Sequence, residues 1–84
     1  MLFRSILFVS QSRYGGAVDI LSNDNKSLFD LIKNNFDFDQ LILEYGTDEQ
    51  PAWVHVSLKK TGNRRQVMRA ITNNIGKTLY VVEK

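Results

Sequence analysis

Gln40-Leu41-Ile42-Leu43-Glu44-Tyr45 and Trp53-Val54-His55-Val56-Ser57-Leu58 are two extended runs separated by the turn-rich Gly46 to Pro51, and their reading decides the fold. Each alternates at the two-residue period of a strand, and the short polar connection between them predicts an antiparallel hairpin. Val54, Val56 and Leu58 make one apolar set, leaving Trp53, His55 and Ser57 on the reverse. Leu41, Leu43 and Tyr45 make the other, leaving Gln40, Ile42 and Glu44. Directly paired residues share a face, so if both apolar sets meet the same core, Glu44 must lie on the face that carries His55.

Outward from this hairpin, Leu28, Phe29, Leu31, Ile32 and Phe36 recur at helical spacing after the N-cap candidates Ser22-Asn23-Asp24-Asn25. That predicts a helix over Lys26 to Asn35 with its apolar stripe in the core. Phe3 to Val9 and Ala17 to Leu21 suit strands, with Tyr14-Gly15-Gly16 as a turn or close-approach signal between them. Gln66 to Ile71 is strand or helix by periodicity, and Thr78 to Val82 is a last strand after the Asn73-Asn74 and Gly76 turn signals. The expected class is α+β: a small, mainly antiparallel sheet with one principal helix, forming a single domain over residues 1–84.

Composition limits the chemistry. The chain has 84 residues, no Cys, one His and a net charge of +2 from 11 basic and 9 acidic side chains. A chain this size buries only about 60% of its unfolded surface, which leaves no room for a second core. Without Cys there is no disulfide, no thiolate zinc knuckle and no Cys nucleophile, so a metal would have to be held by His, Asp and Glu. The near balance of charge makes nucleic acid an unlikely partner. No run approaches the roughly 18 apolar residues of a membrane span, and Ile6-Leu7-Phe8-Val9 is too short for the core of a signal peptide, so cytoplasm is the default localisation.

Pleat parity also selects a candidate site. Asp19 falls opposite its neighbours Val18 and Ile20, so one surface can gather Asp19, Glu44, His55, Trp53 and Gln40 near Gly15-Gly16. Imidazole and carboxylate ligands, an open position for water and a further carboxylate as general base are the parts of a hydrolytic zinc site. The plain alternatives stand beside this reading: a hydrogen-bonded strand His, Asp19 accepting backbone N–H groups, Glu44 as an edge charge and Trp53 as a packing residue.

Ser10-Gln11-Ser12-Arg13-Tyr14-Gly15-Gly16-Ala17-Val18-Asp19-Ile20 resembles the S-x-H-x-x-G-x-A-x-D-I motif of the zinc D-alanyl-D-alanine carboxypeptidase-like family, which includes peptidoglycan peptidases and phage endolysins. Phe38 to Glu44, Trp53 to Ser57 and Asn63 to Val67 are similar to the downstream blocks of its phage-type branch. The resemblance implies that Asp19 and His55 occupy two zinc-ligand positions. It places Ser12 where the motif has its other His, and Ala52 where many members carry the catalytic Glu. By our own inference from parity, Glu44 could substitute as base; Arg13 or Gln40 could hold the substrate carboxylate or carbonyl, with Trp53 as a further substrate contact. Only nine residues precede Ser10, so the usual upstream segment is expected to be missing.

The resulting expectation is a peptidoglycan-peptidase-like domain related to enzymes that hydrolyse cell-wall stem peptides. Its metal site is incomplete, with zinc as cofactor if it is active and weak or no activity, a pseudoenzyme reading. The alternative is a non-catalytic module binding cell wall or a protein partner. Lys59, Lys60, Arg64, Arg65 and Arg69 offer a weaker third reading as a nucleic-acid patch. Unpaired strand edges and apolar surface left by the short N-terminus predict a homodimer.

Overall fold

The computed structural model describes the backbone of residues 5–12 and 15 and the whole of residues 16–83. The predicted hairpin is present: β3 (Gln40–Glu44) pairs antiparallel with β4 (Trp53–Lys59), Ile42 facing His55 and Glu44 facing Trp53. Around it lie β1 (Ser5–Ser12), β2 (Gly15–Ser22), α1 (Asn25–Asn35), β5 (Gln66–Thr72) and β6 (Thr78–Val82). Among the described residues six strands form one sheet in the order β1-β2-β4-β3-β5-β6, antiparallel throughout except where β5 runs parallel to β3. The α+β class and the mainly antiparallel sheet with one helix are therefore present.

Helix α1 starts where the cap residues predict. Asp24 is the N-cap, its carboxylate accepting from the Ser27 backbone N–H at 3.1 Å and from the Ser27 hydroxyl at 2.8 Å. The first contact satisfies an amide that has no partner within the helix, and the two together hold the Asp24 carboxyl below its ordinary range. Asn25 anchors the helix start to the hairpin loop, its Nδ2 donating to Pro51 O at 2.8 Å and Ala52 O at 3.0 Å.

The helix crosses β2, β4 and β3, and the main core lies beneath it: Phe29 and Ile32 meet Phe38, Leu41, Leu43 and Val54, with Ile20, Leu28, Val56 and Val67 at the margin. The expectation that the whole apolar stripe is core fails for Leu31 and Phe36, which are 44% and 58% exposed. An 11-residue helix on a six-stranded sheet covers only its middle strands, and these two side chains overhang.

Three local differences from the sequence reading have physical causes. Gln66 to Ile71 is a strand because β3 has a free edge that β5 completes, a non-local pairing that periodicity does not encode. Strand β1 continues to Ser12 and β2 begins at Gly15, so Gly15 and Gly16 are strand residues paired with Ser12 and Gln11 rather than a turn; Phe3, Arg4 and Tyr14 lie outside the described residues. Parity puts Tyr45 in the core-facing set with Leu41 and Leu43, and the structure does not. The Tyr45 φ of 56° breaks the pleat after Glu44, and its ring stands 5.2 Å from that of Trp53 on the opposite face.

Candidate functional site

Strands β2 and β4 position the first pair. Asp19 and His55 are direct cross-strand partners, and Nδ1 of His55 lies 2.7 Å from Oδ1 of Asp19. A carboxylate only accepts, so this geometry places the imidazole proton on Nδ1 and leaves Nε2 as the second functional nitrogen. The side chains are 25% exposed at His55 and 45% at Asp19, accessible to a solute from the helix-free face.

The neighbouring row holds the second pair. Glu44 sits opposite Trp53 and accepts from its Nε1, while the Trp53 ring tilts against Tyr45, whose hydroxyl is 2.9 Å from Thr78 Oγ1. Burial is the largest influence on Glu44 and raises its carboxyl pKa; the Trp53 hydrogen bond and the attraction of His55 oppose this, and the Asp19 charge adds to it. Parity thus brings Asp19, His55, Glu44 and Trp53 together on one face. It also places there an apolar cluster of Ile42, Met68 and Ala70, buried beside His55 and Glu44, that alternation alone does not single out.

The remaining expected positions are more distant. Gln40 lies on this face two residues before Ile42, with its Nε2 donating to Gln66 Oε1 at 2.9 Å. Ser12 pairs with Gly15, whereas Phe8 is the residue opposite Asp19. Four residues of strand separate the two positions, about 14 Å at the usual rise. Arg13 lies outside the described residues. Ala52, where the resemblance implies Glu, has no carboxylate and donates its N–H to Glu44 O at 2.9 Å.

A catalytic zinc site needs three protein ligands and an open position. Among the described residues no group of three His, Cys, Asp or Glu side chains converges on one point. Asp19 and His55 are hydrogen-bonded to one another, the arrangement by which a carboxylate orients an imidazole rather than shares its metal. The donor set does not fit a three-ligand zinc centre, and no step through zinc is derived from it.

A scan of family models, a search of curated proteins and a search of solved structures each return no match. The chemical reading therefore rests on the geometry above and on the sequence motifs.

The three arginines of the expected nucleic-acid patch, Arg64, Arg65 and Arg69, have structural tasks. Arg64 clasps the buried Asp39 through Nε at 2.9 Å and Nη2 at 2.8 Å. Arg65 donates to Phe36 O and Lys33 O and stacks on Phe38 at 4.6 Å. Arg69 donates to Leu43 O at 3.0 Å and reaches Asp48 at 3.2 Å. Asp39 stands where the β4–β5 connection crosses the start of β3, and the Arg64 hydrogen bonds hold its carboxyl far below the usual carboxylate range. Nothing local marks Asp39 for this role, because its partner is 25 residues away. A groove of about 700 Å³ lined by Val18, Ile20, Leu28, Phe36 and Leu58 lies on the helix side, across the sheet from His55.

Proposed function

We propose that this chain is a peptidoglycan-peptidase-like domain, of the fold of the zinc D-alanyl-D-alanine carboxypeptidase-like family, that binds cell-wall stem peptide without hydrolysing it. The Asp19–His55 hydrogen bond carries the reading: it orients an imidazole whose Nε2 is directed away from its partner, on a face that also holds Trp53, Tyr45 and Glu44. An oriented Nε2 accepts from a peptide N–H or donates to a carboxylate according to its protonation. The Trp53 and Tyr45 rings supply apolar area for the short side chains of a stem peptide. Glu44, whose carboxyl is made by burial to favour its proton more than a free one does, adds a polar group beside the Trp53 ring. In the enzymes of the resembled family the corresponding Asp and His hold zinc; here Ser12 and Ala52 replace two groups that such chemistry requires.

Purified sacculi test this. Retention of the protein on sacculi, unchanged by a chelator and reduced several-fold in His55→Ala and Trp53→Ala, with no release of peptide fragments, is the expected result. Zinc-dependent fragment release would restore the hydrolase. Absence of retention would remove the cell-wall assignment.

A further inference from the structure

Strand β6 ends the described sheet, with β5 on one side. Helix α1 packs on β2, β4 and β3 and does not extend over this end, and Leu79, Tyr80, Val81 and Val82 are between 43% and 55% exposed. Both faces of β6 therefore carry half-exposed apolar side chains, and among the described residues no strand pairs with its outer edge. An apolar edge strand of this kind is a template for another strand.

Which backbone groups β6 presents follows from its pairing with β5. Asn73 donates to Lys77 O at 2.9 Å and Glu83 donates to Val67 O at 2.8 Å, while Thr72 faces Thr78 and Met68 faces Val82. In an antiparallel ladder the hydrogen-bonded positions alternate, so Lys77, Leu79, Val81 and Glu83 direct their backbone groups to β5. Thr78, Tyr80 and Val82 direct theirs outward.

We propose that β6 is an interface for a second copy of this chain, the two β6 strands pairing antiparallel about a two-fold axis at Tyr80. A symmetric antiparallel pair must match outward groups with outward groups, and centring on Tyr80 uses all three residues of each copy: Tyr80 meets Tyr80, and Thr78 meets Val82. The same register places Leu79 beside Val81 on the helix side of the sheet. At both ends it places Lys77 beside Glu83. Leu79 thus meets Val81 and the two Tyr80 rings meet across the strand pair, Thr78 lies beside Val82, and opposite charges close the pair at each end. Glu83 already faces Lys33 of its own chain at 2.7 Å, so its carboxylate would lie between two ammonium groups. The pairing ends at two copies because each chain contributes a single β6. Thr78, Tyr80 and Val82 lie on the same face of the sheet as His55, but the pairing uses none of Asp19, His55, Glu44, Trp53 and Tyr45, so a change in mass and a change in retention on sacculi are separate readouts.

The five-residue strand makes a small interface, so association should be weak. Sedimentation or light scattering on the full chain from about 1 μM to about 1 mM should show the mass rising from the 9.7 kDa monomer towards twice that value. A constant monomer mass over this range overturns the proposal. The register is tested with cysteine pairs in a chain that has no native Cys. Leu79 and Val81 form a non-hydrogen-bonded pair across the axis, about 4.5 Å between Cα atoms, within disulfide reach; two Leu79 positions are about 8 Å apart, beyond it. Leu79→Cys mixed with Val81→Cys should give the mixed disulfide in severalfold excess over either homodisulfide. Equal yields of all three would mean that the copies meet elsewhere. Should the cysteine variants fail to fold, charge exchange replaces them: Lys77→Glu weakens association at least threefold, and adding Glu83→Lys recovers it. A dimer indifferent to both substitutions overturns the register.

Discussion

Asp19 on β2 and His55 on β4 stand directly opposite one another, with Oδ1 of the carboxylate 2.7 Å from Nδ1 of the ring. The relationship fixes which imidazole nitrogen is available to a ligand. With Asp19→Asn, whose amide both donates and accepts, the constraint is removed. The ¹⁵N chemical shifts of the neutral His55 ring should then move from a single Nδ1–H tautomer to a mixture, and retention on sacculi should fall with them. An unchanged tautomer would mean that something other than Asp19 orients the ring.

Asp39 and Glu44 give opposite pH dependences. The Arg64 hydrogen bonds lower the Asp39 carboxyl from its ordinary 3.8, so its contribution to stability is present above that value and is lost as pH falls below it. Burial raises Glu44 from its ordinary 4.5, so its folded form prefers the proton and its contribution is lost as pH rises through the raised value. Thermal unfolding as a function of pH should therefore show a steep acid limb that Asp39→Asn flattens. Glu44→Gln should gain in melting temperature relative to the parent as pH increases above 4.5. The reverse ordering would contradict the Trp53-side burial of Glu44.

The core beneath α1 separates buried from overhanging aromatics. Phe38 is fully buried and Phe36 is 58% exposed, although both belong to the same short segment. Phe38→Ala should cost about 3–5 kcal/mol in denaturant unfolding, a large part of what a domain of this size holds in total. Phe36→Ala should change stability by less than about 0.5 kcal/mol. Comparable losses at the two positions would mean that the helix end is more enclosed than the exposures indicate.

Much of this arrangement is legible in the sequence where the information is local. The alternation in Gln40 to Tyr45 and Trp53 to Leu58 places His55 and Glu44 on one face without any structure, and the cap candidates Ser22 to Asn25 bracket the helix start, which Asp24 caps. What alternation cannot supply is partnership between distant segments. It shows that Asp19 shares a face with His55 but not that they are paired, and it leaves Gln66 to Ile71 ambiguous because the parallel neighbour β3 is 26 residues earlier. Asp39 reads as one more polar residue before a strand until the β4–β5 crossover brings Arg64 onto it. Tyr45 is misplaced for a different reason. A single positive φ at the strand end reverses its side, and the only sequence hint is the adjacent Gly46.

Gly46 carries the last prediction. It follows Tyr45 in the left-handed region, with φ of 63°, and a Cβ built on it would lie 2.3 Å from Gln50 O and 2.9 Å from Ala52 N. The loop cannot retreat easily, because Thr47 N donates to Gln50 O at 3.1 Å and Ala52 N to Glu44 O at 2.9 Å, closing the backbone over the glycine. Gly62 and Gly76 also have positive φ, yet nothing lies within 4 Å of a Cβ at either. Gly62→Ala and Gly76→Ala should each cost only the conformational term, about 1–2 kcal/mol. Gly46→Ala adds a backbone clash to the same term and should cost clearly more, displacing Tyr45 from Trp53 and lowering retention on sacculi as well as stability. Denaturant titration of the three variants side by side checks this; equal costs would show that the β3–β4 loop yields to a side chain.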